Sequence, residues 1–227
     1  MDLADFFAID RLSEHDEETL VESAMQLQQV MMLYESGIRE IKTKLDILAD
    51  ESRISGKPSP INAIKSRIKT PRSIVGKLKR RGFPVTLQSM MDNLNDIGGI
   101  RVICPFIQDI DRTAELIRAI PCVQIQTEKD YIRSPKPNGY RSYHMILSMP
   151  LRFLGNSQKT VWLEVQLRTI AMDCWANIEH QLKYKQNIPD QALLIQELKR
   201  CADEITSTDL SLQTIRDLIE HHEEEPI

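Results

Sequence analysis

A chain of 227 residues, 41% apolar and 27% charged, has the make-up of a soluble globular protein with one good-sized core or two small ones. No run approaches the roughly eighteen continuous apolar residues of a membrane span, and the acidic start MDLADFFAID is unlike a signal peptide. The net charge of −4 conceals an asymmetry: residues 1–51 hold thirteen acids and four bases, residues 52–91 ten Lys/Arg and no acid, and residues 203–225 eight acids and one Arg.

A basic middle between acidic ends fits a localised anion site better than a coat for long nucleic acid. The cysteines, Cys104, Cys122, Cys174 and Cys201, form no C-x-x-C pair, which points to reduced thiols in a cytoplasm, most simply as buried spectators. Near the N-terminus His15-Asp16 has no histidine companions at a metal-ligand spacing and reads as an acidic helix start.

From Leu20 the apolar positions Ala24, Leu27, Met31, Tyr34, Ile38, Ile41, Leu45 and Leu48 follow a 4-3 spacing, so this stretch is a helix with a heptad seam. The seam either lies on its own domain's core or packs against another subunit. Gly37 costs this helix about 1 kcal/mol relative to Ala. Turn residues over 52–60 end it. In NAIKSRIKT, Ile64, Ser66 and Ile68 share one strand face, and Lys65, Arg67 and Lys69 the other. A helix follows, with Thr70 as N-cap, Pro71 at its first position and Gly82 just past its end. Strand patterns occupy 100–106, 123–127, 143–149 and 161–167; helical patterns occupy 109–120, 169–185, 190–205 and 210–222. The order predicts an α+β fold with a central sheet and helical flanks.

Four constellations could carry chemistry. Arg67 and Lys69 extend from one strand face, Ser73 lies in the first turn of the next helix, and Lys77 projects from the same helix face, together a cradle for phosphates. A solvated basic face is the plainer alternative, weakened by the forty residues over 52–91 without an acid. In NDIGGIRVIC, Asp96 stands before a paired glycine and a strand that Arg101 enters. Such a carboxylate suits Mg²⁺, although Asp-x-Gly-Gly is more often merely a turn. In VWLEVQLRT, Glu164 shares the polar strand face with Trp162, Gln166 and Arg168, as a general base, a metal ligand or a solvent-facing acid. In KDYIRSPKPNGYRSYH, Pro137-Asn138-Gly139 forms a tight turn presenting Tyr140, whose ring offers a stacking face for a purine. Lys136 and His144 can reach phosphates there, and Arg141 either does so or pairs with an acid.

In this order SRIKTPRSIVGKLKRRG, DIGGIRVIC, KDYIRSPKPNGYRSYH and EVQLRTIAMDCWANIEHQLKYK strongly resemble the synthetase domain of the RelA/SpoT family, specifically the stand-alone small alarmone synthetases. The resemblance covers about residues 62–185. It implies a nucleotidyltransferase-like mixed sheet with long N- and C-terminal helices. The expected division is a helical region over 1–51 for oligomerisation or packing, a catalytic domain over 52–187 and C-terminal helices over 188–227.

The implied reaction moves the β,γ-pyrophosphate of ATP to the 3′-hydroxyl of GDP or GTP, giving (p)ppGpp and AMP. By resemblance Arg67, Lys69, Ser73, Lys77 and Arg101 meet ATP, Asp96 holds Mg²⁺, and Glu164 activates the 3′-hydroxyl and touches the metal. Tyr140 stacks on guanine, with Lys136, Asn138 and His144 beside it and Lys129 and Gln166 as lesser members. Gly98 and Tyr143 depart from the family's usual residues. Relatives of this size form homotetramers through their flanking helices, which favours the intersubunit reading of the seam; neither a membrane nor a stable nucleic-acid partner is expected. Two other classes compete: a module for single-stranded RNA, and a catalytically silent guanine-nucleotide binder. The paired acids Asp96 and Glu164 argue for the enzyme, since a pure RNA groove has little use for them.

Overall fold

The computed structural model describes residues 14–153, 158–184 and 191–224, with side chains described over 24–153, 158–182 and 191–221. Helix α1 (Glu14–Ile54) contains His15 and Asp16 in its first turn, where their side chains lie outside the described residues. Its seam rests on the chain's own sheet from Leu27 onward. Leu27, Tyr34 and Ile38 are buried, Ile41 and Leu45 completely so, and they share one core with Ile100, Val161 and Leu163. The heptad spacing therefore serves packing within the subunit, the first of the two readings above. Gly37 has a matching reason: a β-carbon there would stand 2.7 Å from Val161 Cγ1. The helix gives up propensity to lie close to the sheet.

The sheet has five strands: β1 (Ala63–Ile68), β2 (Gly98–Cys104), β3 (Gln124–Asp130), β4 (Tyr143–Arg152) and β5 (Gln158–Thr169). Their spatial order is β1-β2-β5-β4-β3, with β2 and β5 parallel and every other pair antiparallel, so the sheet is mixed and the fold α+β. β5 alternates as expected. Val161, Leu163, Val165 and Leu167 are buried in the core, while Trp162, Glu164 and Gln166 are half-buried on the other face.

The glycine pair differs from expectation. Gly98 and Gly99 open β2 instead of forming a turn, because α1 crosses the strand there; a β-carbon on Gly98 would meet Leu163 Cδ2 at 2.5 Å and Ile38 Cδ1 at 3.4 Å.

Helix α2 (Pro71–Arg80) has the predicted ends. Thr70 Oγ1 accepts from the Ser73 N–H at 3.3 Å, and Gly82 takes φ +72° past the C-terminus. Ile74 and Leu78 point into the core. Helix α3 (Leu87–Asn93) has no counterpart in the sequence reading; it is short and is capped by Thr86, whose Oγ1 accepts from the Ser89 N–H at 3.1 Å. Helix α4 (Ile107–Arg118) adds Ile110, Ala114 and Ile117 to the main core. Helix α5 (Ile170–Tyr184) leaves β5 directly, its first turn capped by Thr169, which accepts from the Met172 N–H.

The two C-terminal helical patterns are one continuous helix, α6 (Gln191–Glu224). The helix continues through its polar middle, where the Thr206 and Thr208 hydroxyls donate to the carbonyls of Ala202 and Glu204. Asp209 is tied instead to Thr169, whose hydroxyl donates to Oδ2 at 2.6 Å. A small second core joins α5 to α6 through Trp175, Ala176, Leu198 and Ala202. Of the cysteines only Cys104 is the buried spectator expected, its thiol pushed up to about 12 by burial; Cys122 and Cys174 are exposed and Cys201 is half-buried, all four as free thiols. No helix among the described residues is long and apolar enough to cross a membrane.

Candidate active site

Strand register assembles the polar face of the sheet into rows. One row crosses all five strands as Lys65, Arg101, Gln166, His144 and Lys129, and the next runs Arg67, Gly99, Glu164 and Ile146. Side chains in one row lie about 5 Å apart, so residues distant in sequence converge. Gly99 leaves open the space between Arg67 and Glu164.

A cleft of about 790 Å³ lies over this face, lined by Arg67, Arg101, Asp96, Glu164, Tyr140 and Arg168 among others. A side cavity of about 270 Å³ adjoins it and holds the cations Lys77, Arg81 and Lys129. Asp96, Lys136, His144 and Glu164 line both, so the two acids stand where the cavities meet.

Asp96 Oδ2 accepts from Lys69 Nζ at 2.5 Å and Lys77 Nζ at 2.6 Å. Burial acts to raise its carboxyl pKa, but the two lysines outweigh that and hold it below the ordinary carboxylate range. Its Oδ1 is buried without a hydrogen-bond partner. Glu164 Oε1 lies 3.1 Å from His144 Nδ1, and Oε2 accepts from Gln166 Nε2 at 2.8 Å. Burial again acts upward, and the His144 contact, followed by Gln166, brings the net shift downward. Both acids are therefore ionised at neutral pH.

The predicted turn is closed by the Gly139 N–H donating to the Lys136 carbonyl at 2.8 Å, with Pro137 and Asn138 at its centre. Gly139 has φ +86° and packs on α6, where a β-carbon would meet Ala202 Cβ at 2.6 Å. Asn138 Oδ1 accepts from the Tyr140 N–H and its Nδ2 donates to Glu179. Tyr140 is half-buried. Its hydroxyl lies 2.8 Å from His144 Nε2 and accepts from Arg168 Nη2 at 2.7 Å, and Lys136 Nζ sits 4.7 Å from its ring centroid. His144 is thus bonded to Glu164 and Tyr140, where the sequence reading pointed it at phosphates. Arg141 takes the second option given above and pairs with Asp203 at 3.1 Å.

Ser73 is exposed on the first turn of α2 and lines neither cavity, its Oγ lying 2.9 Å from Thr70 Oγ1. Arg101 lines the main cleft and donates to Asp173 and Asn177. The sequence reading did not single out Asp173, although Lys65, Arg101, Arg168 and Asn177 all donate to it. The one available signal was an acid four positions into a helix that leaves the polar strand, which by itself names no role.

The pattern described as "Region found in RelA / SpoT proteins" matches residues 66–189, more than half of the chain. The chain belongs to the RelA/SpoT family. It is 40% identical to GTP pyrophosphokinase YwaC of Bacillus subtilis over 173 residues, 76% of this chain and 82% of that protein. It is 33% identical to GTP pyrophosphokinase YjbM of the same organism over 193 residues, covering 84% and 89%. Among solved structures it is similar to the small alarmone synthetase 1 of Bacillus subtilis bound to its product pppGpp. That match has a TM-score of 0.78 at 32% identity and covers 86% of this chain and 99% of that one. A GTP pyrophosphokinase family protein from Streptococcus pneumoniae gives the same TM-score of 0.78 at 32% identity, covering 87% and 96%. Its mixed sheet and flanking helices match the fold of the small alarmone synthetase structures.

Proposed function

We infer that this RelA/SpoT-family chain is a GTP pyrophosphokinase that makes (p)ppGpp from ATP and GDP or GTP. The 3′-oxygen of the guanine nucleotide forms a bond to the β-phosphorus of ATP. The bond from that phosphorus to the α,β-bridging oxygen breaks, and AMP leaves. The observation that carries the reading is the placement of Asp96 and Glu164 at the junction of two cavities, each walled by cations and one backed by an aromatic platform.

On the donor side Arg67 and Arg101 face the cleft, and Lys69 and Lys77 stand at Asp96, all within one basic stretch and its neighbouring strand. On the acceptor side Tyr140 takes the guanine, which replaces the Lys136 ammonium over the ring; Asn138 fixes the turn, His144 holds Glu164 and the Tyr140 hydroxyl, and Lys129 and Lys136 set the charge around the acceptor's phosphates. Glu164, ionised and held in place by His144 and Gln166, receives the proton of the 3′-hydroxyl. With its pKa held low it works by placement more than by basicity, accepting the proton as the new bond forms.

The residues fit a magnesium ion. Asp96 Oδ1 is buried without a hydrogen-bond partner beside Glu164's cavity, and Mg²⁺ commonly takes one or two carboxylates with phosphate oxygens. Asp96 and Glu164 would hold it, and it would neutralise charge on the transferring group.

The protein works in the cytoplasm, where its nucleotide substrates are made and its thiols stay reduced. It assembles as a homotetramer through its flanking helices, a reading supported by the exposed Leu210, Ile215 and Leu218 along α6. Incubating the protein with ATP, Mg²⁺ and GDP or GTP tests the function: AMP and a 3′-pyrophosphorylated guanine nucleotide are expected in equal amounts. No product with either acceptor would overturn it.

A further inference from the structure

Asp173 has no part in the transfer described above, yet four donors converge on a side chain that is only 5% exposed. Lys65 Nζ and Asn177 Nδ2 reach Oδ2, each at 3.1 Å. Arg101 Nη1 at 2.9 Å and Arg168 Nη1 at 3.3 Å share Oδ1. One oxygen therefore holds two like-charged guanidinium groups together, one from each half of the cleft.

From Arg168 the bonding runs on without a gap. Its Nη2 donates to Tyr140 Oη at 2.7 Å and to Gln166 Oε1 at 2.8 Å, and its guanidinium carbon lies 5.1 Å from the Tyr140 ring centroid. Gln166 in turn donates to Glu164. Arg168 is itself buried, so this fork has little room to rearrange.

We propose that Asp173 and Arg168 are positioning residues that couple the two nucleotide subsites. A nucleotide engaging Arg101 draws that guanidinium toward itself and away from Oδ1. The carboxylate is then left to Arg168, whose tightened fork steadies the Tyr140 ring and the Gln166–Glu164 pair for the acceptor. Coupling of this kind is reciprocal, so a bound acceptor also favours the donor. The proposal rests on the reading that Arg101 meets ATP and Tyr140 meets guanine. A network that merely fastened α5 to the sheet would change stability when broken and leave the two affinities independent.

The test uses the full chain and calorimetric titration of GDP, with and without a saturating non-hydrolysable ATP analogue and Mg²⁺. Wild type is expected to bind GDP about five- to tenfold more tightly with the analogue present. In Asp173→Asn and in Arg168→Lys, which keeps the charge and loses the fork, the ratio falls to about one. Arg168→Lys alone decides the matter if Asp173→Asn does not fold. A wild-type ratio of one, or a wild-type ratio in a folded variant, overturns the proposal. Arg101→Ala separates the two levels. If it leaves affinity for the analogue unchanged, the donor-site assignment beneath the proposal is wrong. If it weakens the analogue while Asp173→Asn and Arg168→Lys keep the coupling, only the relay is wrong.

Discussion

Alanine at Gly139 perturbs the acceptor turn from two directions. The residue has φ +86°, which costs an L-side chain about 1–2 kcal/mol. The added β-carbon would also stand 2.6 Å from Ala202 Cβ and 3.1 Å from Lys199 Cα on α6. Neither neighbour is the tip of a flexible side chain, so turn and helix must separate, an overpacking cost of about 1–3 kcal/mol. The sum, roughly 2–5 kcal/mol, corresponds to a fall in Tm of about 4–20 °C for a chain of this size. Because Tyr140 follows directly, the acceptor KM should rise as well.

Thermal unfolding of Gly139→Ala, Ala202→Gly and the double variant separates the two costs. Read as a cycle, the intrinsic penalty of Gly in a helix cancels, and the double variant should recover the steric part due to Ala202 Cβ but neither the Lys199 contact nor the φ strain. A Tm for Gly139→Ala within about 2 °C of wild type, or no recovery in the double variant, would refute the reasoning.

Gly37→Ala should destabilise by about 1–3 kcal/mol despite its better helix propensity, because its β-carbon would meet Val161; urea unfolding measures it, and a gain in stability would contradict the packing. Burial raises the pKa of Asp209 against the opposing hydroxyl of Thr169. The folded state thus holds that proton more tightly, so the group's contribution to stability is full below the unfolded carboxylate range and declines as pH rises through the folded value. Asp209→Asn should therefore gain on wild type at pH 7 and lose that advantage toward acid, and a pH-independent difference would sink the idea. Tyr140→Ala should raise the acceptor KM about ten- to hundredfold, as expected for a lost stacking platform, with a far smaller effect on the KM for ATP.

Local chemistry was readable from the sequence where it depends on neighbours in the chain. Thr70, Pro71 and Gly82 announce both ends of α2, and the alternation through Val161–Leu167 separates core from cleft along β5. The heptad seam was visible, but periodicity cannot say what a seam faces. Gly37 decides the matter only once Val161 is seen beneath it. The join of the last two helices escaped because Ser and Thr are poor helix formers, and what holds Asp209 there is Thr169, forty residues away. The site divides in the same way. Motif residues on strands were placed by register, whereas the Asp173 hub links four segments and has no local signature. His144 shows the limit most plainly: its presence was predictable, and its partners Glu164 and Tyr140 were not.

The central claim is that Glu164 takes the proton of the attacking hydroxyl, and Glu164→Gln tests it most directly. The amide keeps the size and can still bond His144 and Gln166, but cannot accept that proton. Single-turnover transfer from ATP to GDP should fall roughly 10²- to 10⁴-fold, while GDP affinity measured by titration stays near wild type. Transfer at the wild-type rate would contradict the assignment of the base.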